Sequence, residues 1–206
     1  MPILLSWSSG KDSSWSLHVL RQDPRFEVVG LFTTINASAQ RVAMHAVRKQ
    51  LLEIQAERAG LPIEILELPF PCTNADYEGI MGDFVARIKG RGIRHIAFGD
   101  LFLEDIRDYR LKNLAGTGIE AHFPLWGIPT DQLSREMIAG GLSAILTSVD
   151  PRQIDASFIG RRYDTELLDE LPVNADPCGE NGEFHSFVTA GPMFSSAIEV
   201  TLGEKL

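Results

Sequence analysis

Cysteine is nearly absent: Cys72 and Cys178 are the only two in 206 residues, they lie far apart, and neither belongs to a CxxC pair. The cysteines therefore signal neither a disulfide framework nor a zinc site. Positive charge is also in short supply. Nineteen Lys and Arg face 28 Asp and Glu, a net charge of −9 with no long basic run, which argues against a nucleic-acid-binding surface. No apolar stretch approaches the roughly 20 residues needed to span a bilayer. The N-terminus has neither the basic n-region nor the long apolar h-region of a secretory leader, so a cytoplasmic protein is expected. Internal repeats, low-complexity tracts and long linkers are missing too. What remains, 44% hydrophobic and 23% charged, is ordinary for a soluble globular chain with material for one large or two small domains.

The most informative stretch is the start. A short apolar run, Pro2-Ile3-Leu4-Leu5-Ser6-Trp7, enters Ser8-Ser9-Gly10-Lys11-Asp12-Ser13-Ser14 and leaves as a helix predicted from Trp15 to Gln22. Serine hydroxyls and loop amides converging on a helix N-terminus make an anion site. Asp12 repels a phosphate unless a divalent cation lies between them, which points to a nucleotide with Mg²⁺. A Walker A loop is excluded, because it needs Gly where this chain has Leu5 and Ser or Thr where it has Asp12. The stretch instead resembles the Ser-Gly-Gly-x-Asp-Ser loop of the N-type ATP pyrophosphatases, the PP-loop. One residue departs from that pattern: Ser9 stands where the family has its first glycine. The substitution matters only if this position adopts a positive φ. A plain serine-rich helix cap is the bland alternative.

Apolar runs then alternate with helical patterns. Strands are predicted at Ile3–Trp7, Glu27–Thr33, Ile63–Leu68 and His95–Gly99. Met44, Val47, Leu51 and Ile54 recur at helical spacing, as do Ile80, Met81, Phe84, Val85 and Ile88. Such alternation implies an α/β fold, a doubly wound and mostly parallel sheet whose ligands sit beyond the carboxyl ends of the strands. The Ser8–Ser13 loop, Thr33-Thr34 and Gly99-Asp100 all fall at such ends. Beyond Pro124–Gly127 the texture changes. A helix is predicted over Thr130–Ala139, followed by an apolar run, Leu142–Val149. Two β segments, Glu183–Thr189 and Ala197–Leu202, are joined by a Gly191-Pro192 turn. The expected division is a nucleotide domain over residues 1–126 and a smaller α+β domain over 127–206. His18, His45, His95 and His122 show no ligand-like spacing and read as surface or packing residues. Cys178 reads as a small buried hydrophobe.

A second chemical cluster closes the chain, Gly179-Glu180-Asn181-Gly182-Glu183-Phe184-His185-Ser186. Period-2 alternation would put Glu183, His185 and Phe187 on one strand face, lining a polar cavity; a solvated hairpin tip is the alternative. With Asp176-Pro177-Cys178 before it, this block resembles the C-terminal signature of the diphthine–ammonia ligase family, ATP-dependent amidating enzymes of the adenine nucleotide α-hydrolase-like superfamily. Ser186 stands where that signature has Thr. Phe98-Gly99-Asp100, then Glu104-Asp105, Arg107, Tyr109-Arg110 and Phe123-Pro124-Leu125-Trp126 resemble the family's middle region, although a solvated, ion-paired helix face explains the charges equally well.

The resemblance implies a ligase that activates a substrate carboxylate with ATP and Mg²⁺, releases pyrophosphate, and lets ammonia displace AMP. By that resemblance Ser8, Ser9, Gly10 and Ser13 would hold phosphates, Lys11 would neutralise charge, and Asp12 with Asp100 would hold Mg²⁺. Backbone around Thr33 and Gly99 would bind the nucleotide, while Glu180, Asn181, Glu183 and His185 would shape the acceptor and ammonia site, with Glu183 as base. The acceptor in archaeal and eukaryotic members is diphthine, a modified histidine on an elongation factor. A hydrolase or ATP-binding protein with a different small-molecule acceptor, a nucleotide sensor without turnover and a tRNA-modifying PP-loop enzyme are the alternatives. The acidic charge and lone cysteines disfavour the last. Oligomeric state is not legible, and a homo-oligomer stays open.

Overall fold

The computed structural model of the chain describes residues 1–36, 41–42 and 47–203; Met44 and His45 lie outside them. The elements run β1 (Pro2–Ser6), α1 (Lys11–Gln22), β2 (Glu27–Asn36), β3 (Arg41–Val42), α2 (Lys49–Ala59), β4 (Ile63–Leu68), α3 (Asn74–Gly90), β5 (His95–Ala97), α4 (Glu104–Leu114), β6 (Glu120–His122), α5 (Thr130–Ala139), β7 (Ser143–Val149), α6 (Thr165–Glu170) and β8 (Phe184–Ala190). Five parallel strands lie in the order β4-β2-β1-β5-β6, and β3 pairs antiparallel with the end of β2. This is the expected α/β architecture.

Burial on both faces explains why β1 reads as an unbroken apolar run. Ile3 and Leu5 point into one core with Leu17, Leu52 and Leu133. Leu4 points into the other with Phe32, Phe84, Ile88 and Ile96. Helix α1 begins at Lys11, four residues before the helical periodicity becomes legible, so Ser13 and Ser14 belong to its first turn. A capping box starts α3: Thr73 Oγ1 accepts from the Asp76 amide at 3.2 Å, and the Asp76 carboxylate accepts from the Thr73 amide at 3.0 Å.

The C-terminal part departs from expectation in its pairing. No strand forms over Ala197–Leu202. Instead β8 pairs antiparallel with β7 in a separate two-stranded sheet. Packing supplies the reason. β7 contributes buried Ala144 and Leu146, whereas Ile198 is the one buried hydrophobe of the 197–202 stretch, and Met193, 1% exposed, draws the intervening turn into the larger core. That core joins Ile3, Leu5 and Leu17 to Leu133, Met137, Phe187 and Met193, so the segments on either side of residue 126 share one apolar interior. Among the described residues no helix is long and apolar enough to cross a membrane.

Candidate active site

The Ser8–Ser13 loop follows β1 directly and is closed on itself. Ser13 Oγ accepts from the Ser8 amide at 3.3 Å and donates to the Gly10 carbonyl at 3.1 Å, while Ser8 Oγ accepts from the Gly10 amide at 3.3 Å. Gly10 occupies the N-cap of α1 and supplies no side chain to its first-turn amides. A helix N-terminus whose N-cap residue offers no side chain, set in a hydroxyl-rich loop, is suited to an anion. Ser9 has φ +72°, so this chain holds a non-glycine residue in the left-handed region where the PP-loop pattern has glycine. Its hydroxyl is buried and unpartnered.

The loop is braced from behind by a residue that no motif identifies. Gln55, fully buried in α2, accepts from the Trp7 indole at 2.9 Å and donates to the Ser9 carbonyl at 3.1 Å and the Val188 carbonyl at 2.8 Å. The Val188 amide donates to that same Ser9 carbonyl at 3.1 Å. One amide side chain thus ties β1, the loop and β8 together. Its only sequence signal is a polar residue inside the apolar stripe Leu52, Ala56, Ala59.

From the other side the C-terminal block folds onto the loop. Ser186 Oγ accepts from the Lys11 amide at 3.2 Å, and Glu180 Oε1 accepts from the Leu101 amide at 2.9 Å. The even-numbered Phe184 and Ser186 side chains of β8 thus contact Lys11 directly, and His185 lies near enough to feel the Lys11 and Asp12 charges. Glu183, expected to face the cleft as a base, is 1% exposed. Its Oε1 accepts from the Asp176 amide at 2.8 Å and Asn181 Nδ2 at 3.2 Å, which makes it the internal tie of its own turn. Asp176 completes that turn by accepting from the Cys178 and Glu180 amides at 3.2 and 2.9 Å. Asn181 is exposed and His185 half-buried; burial, reinforced by the Lys11 charge, holds the imidazole pKa below its ordinary value.

Lys11 is turned inward. Its ammonium contacts the Asp12 carboxylate at 2.8 and 3.0 Å and lies over the rings of Phe184 and Tyr163, 5.5 and 5.8 Å from their centroids. Burial by itself would depress its pKa, but Asp12, Cys178 and Glu180 outweigh that and raise it. Burial raises the Asp12 carboxyl pKa against the opposing pull of Lys11. Burial, reinforced by Asp12 and Asp100 against the opposing Leu101 hydrogen bond and Lys11, pushes Glu180 up to about 7. Burial also lifts the Cys178 thiol to about 12, so it is a packing residue and not a nucleophile.

Gly99 brings the remaining carboxylate in. A Cβ there would lie 3.0 Å from both the Asp12 carbonyl carbon and the Ser13 nitrogen, so glycine lets the chain after β5 run against the start of α1 without pushing that backbone away. Asp100 follows immediately, accepting from Arg110 Nε at 3.4 Å; the Arg110 guanidinium lies 4.7 Å from the Phe98 ring centroid. Asp12 and Asp100 each offer only oxygen donors, the kind that Mg²⁺ takes. Beside the loop opens a cavity of about 800 Å³, walled by Ser8, Thr33, Tyr77, Phe98 and Arg110 among others. Its size and mixed walls suit a nucleotide-sized ligand. Tyr77 and Tyr163 carry no sequence signal; only the folded chain brings them to the site.

Family models of the diphthamide synthase N-terminal and C-terminal domains match residues 1–113 and 129–206 respectively. No curated protein matches the chain.

Proposed function

The chain belongs to the diphthamide synthase family, and from that premise we propose that it is an ATP-dependent, AMP- and pyrophosphate-forming amide ligase. One observation carries the reading. The Glu180–Ser186 block is hydrogen-bonded both to the phosphate-type loop, through Ser186, and to the segment after Asp100, through Leu101 and Glu180. The contacts of this block support a reading in which the Ser8–Ser13 loop, the segment at Asp100 and the Glu180 carboxyl act as one site.

In the proposed reaction an acceptor carboxylate oxygen bonds to the α-phosphorus of ATP, and the bond to pyrophosphate breaks. Ammonia then attacks the activated acyl carbon, loses a proton, and AMP leaves. A carboxylate alone is a poor electrophile, since it would have to expel hydroxide; the mixed anhydride with AMP gives it a stable leaving group. The first-turn amides of α1 and the Ser8, Ser9 and Ser13 hydroxyls would orient the polyphosphate. Asp12 and Asp100 would hold Mg²⁺, which when bound offsets the charge of the phosphates. Lys11 holds the Asp12 carboxylate in place. The cavity wall at Thr33 would take the nucleoside. Glu180, with a pKa near neutrality, is better suited than the enclosed Glu183 to take the proton from the attacking ammonia. Glu183, Asn181 and His185 would shape the acceptor side. Family membership implies a protein acceptor, and diphthine on an elongation factor is the acceptor this reading assigns.

Calorimetric titration with ATP tests the nucleotide site without needing the acceptor. In Asp12→Asn, ATP binding in the presence of Mg²⁺ should weaken about tenfold or more, while binding in EDTA stays near wild type. Equal Mg²⁺ dependence in both proteins would leave Asp12 only its structural ion pair with Lys11.

A further inference from the structure

A second cluster of titratable side chains lies at the other end of β5. His95 opens β5 and pairs with Glu120, which opens β6; His122 follows two residues later. Strand alternation puts all three side chains on one face of the sheet. His95 Nδ1 lies 3.0 Å from His122 Nε2, and the two Glu120 oxygens lie 3.7 Å from those nitrogens, one from each. Among the described residues this is the one group in which three such ligand atoms fall within 4.8 Å of one another. Neither the spacing of 95, 120 and 122 in the chain nor any motif announces it; the parallel register does.

The two imidazoles hydrogen-bond to each other at 3.0 Å, and the spans between the ligand atoms are close to those around a bound ion. Zinc sits about 2.0–2.1 Å from imidazole nitrogen and carboxylate oxygen, so neighbouring ligand atoms of a tetrahedral site are about 3.3 Å apart. The observed spans of 3.0 and 3.7 Å lie either side of that value. Both imidazoles are held in place. Their side chains are 15 and 19% exposed, and the Phe26 ring packs edge-on against them at centroid distances of 6.0 and 4.7 Å. Glu120 is 68% exposed, which leaves one side of the cluster open to water. The neighbouring cation, Arg25, is held by Asp23 at 2.6 Å.

We propose that His95, Glu120 and His122 form a binding site for a borderline divalent transition metal, Zn²⁺ in the first instance, distinct from the nucleotide site. Two nitrogens and one carboxylate suit zinc and disfavour Mg²⁺ and Ca²⁺, which take all-oxygen sets. The site is separate in space as well. Asp100 lies five residue steps beyond His95 along the chain, a reach of up to about 16 Å at roughly 3.3 Å per strand residue. A metal there fastens the three-residue edge strand β6 to β5, and so stabilises the folded chain by mass action.

The test uses the untagged, full-length chain stripped of metal and titrated with Zn²⁺ alone. The wild type should bind one Zn²⁺ and melt at a higher temperature with it. Glu120→Gln, a change at an exposed position, should weaken binding about tenfold or more, and His122→Gln should abolish it. Co²⁺ in place of Zn²⁺ should give the intense visible bands of a four-coordinate site in the wild type and lose them in His122→Gln. Retained ATP binding in both variants verifies that they are folded. Wild-type protein that takes up no Zn²⁺, or variants that bind it as the wild type does, would overturn the proposal.

Discussion

Ser9 is the residue where this chain and its family pattern part, and the backbone makes the difference physical. At φ +72° an L-residue carries about 1–2 kcal/mol of strain that glycine escapes, and the Ser9 hydroxyl is buried without a partner. Replacing it removes no hydrogen bond. Ser9→Gly should therefore raise unfolding stability by about 1 kcal/mol, net of the greater entropy glycine loses on folding. Urea denaturation measures this, and a destabilised variant would mean that the Ser9 side chain does more than tolerate its place. Glu180, by contrast, matches the family pattern. Its folded pKa of about 7 lies above the ordinary value of 4.5, so the folded chain holds that proton more tightly than the unfolded one. The contribution to stability is complete below pH 4.5 and declines as pH rises through 7. Glu180→Gln should flatten that decline, retain ATP binding, and remove a rising limb centred near pH 7 from the rate of amide formation. A pH–rate profile unchanged in the variant would take the base role away from Glu180.

At the scale of elements, what was legible in the chain depended on how local the determinants are. β1, the loop and α1 declare themselves within two dozen residues: an apolar run, small hydroxylic residues, then helical spacing. β6, with three residues, offers no period to read, and the partner of β8 is set by which apolar surface is free after folding. The alternation along β8 was legible, but which of its residues touch the loop was not, because Ser186 and Val188 meet Lys11 and Ser9 only through tertiary pairing. Gln55 gives the sharpest test at this scale. Leucine there leaves the Trp7 indole and the Val188 carbonyl without their bonds inside the core and should cost about 2–4 kcal/mol. Thermal and urea unfolding measure it. A loss below about 0.5 kcal/mol would show that the loop is braced by β8 alone.

For the whole molecule, the two ends of the chain are one chemical unit. A single core runs from Ile3 to Met193, and the C-terminal block closes over a loop formed by residues 8–13. Composition bounded the answer by exclusion, since an acidic chain with two unpaired cysteines is poorly suited to nucleic acid or disulfide chemistry. It could not convey that Glu183 would be enclosed and Glu180 left at the site, because both carboxylates stand in the same motif and only the turn built around Asp176 separates them. The central claim is that ATP is cleaved between its α- and β-phosphates by an acceptor carboxylate. The direct measurement is product analysis after incubation with ATP, Mg²⁺, ammonium and a diphthine-bearing elongation factor. The acceptor carboxylate is labelled with ¹⁸O for this experiment. The account predicts AMP and pyrophosphate in equal amounts, matched to amide formed, with ¹⁸O transferred into AMP. ADP and phosphate as the products, or AMP free of the label, would contradict it.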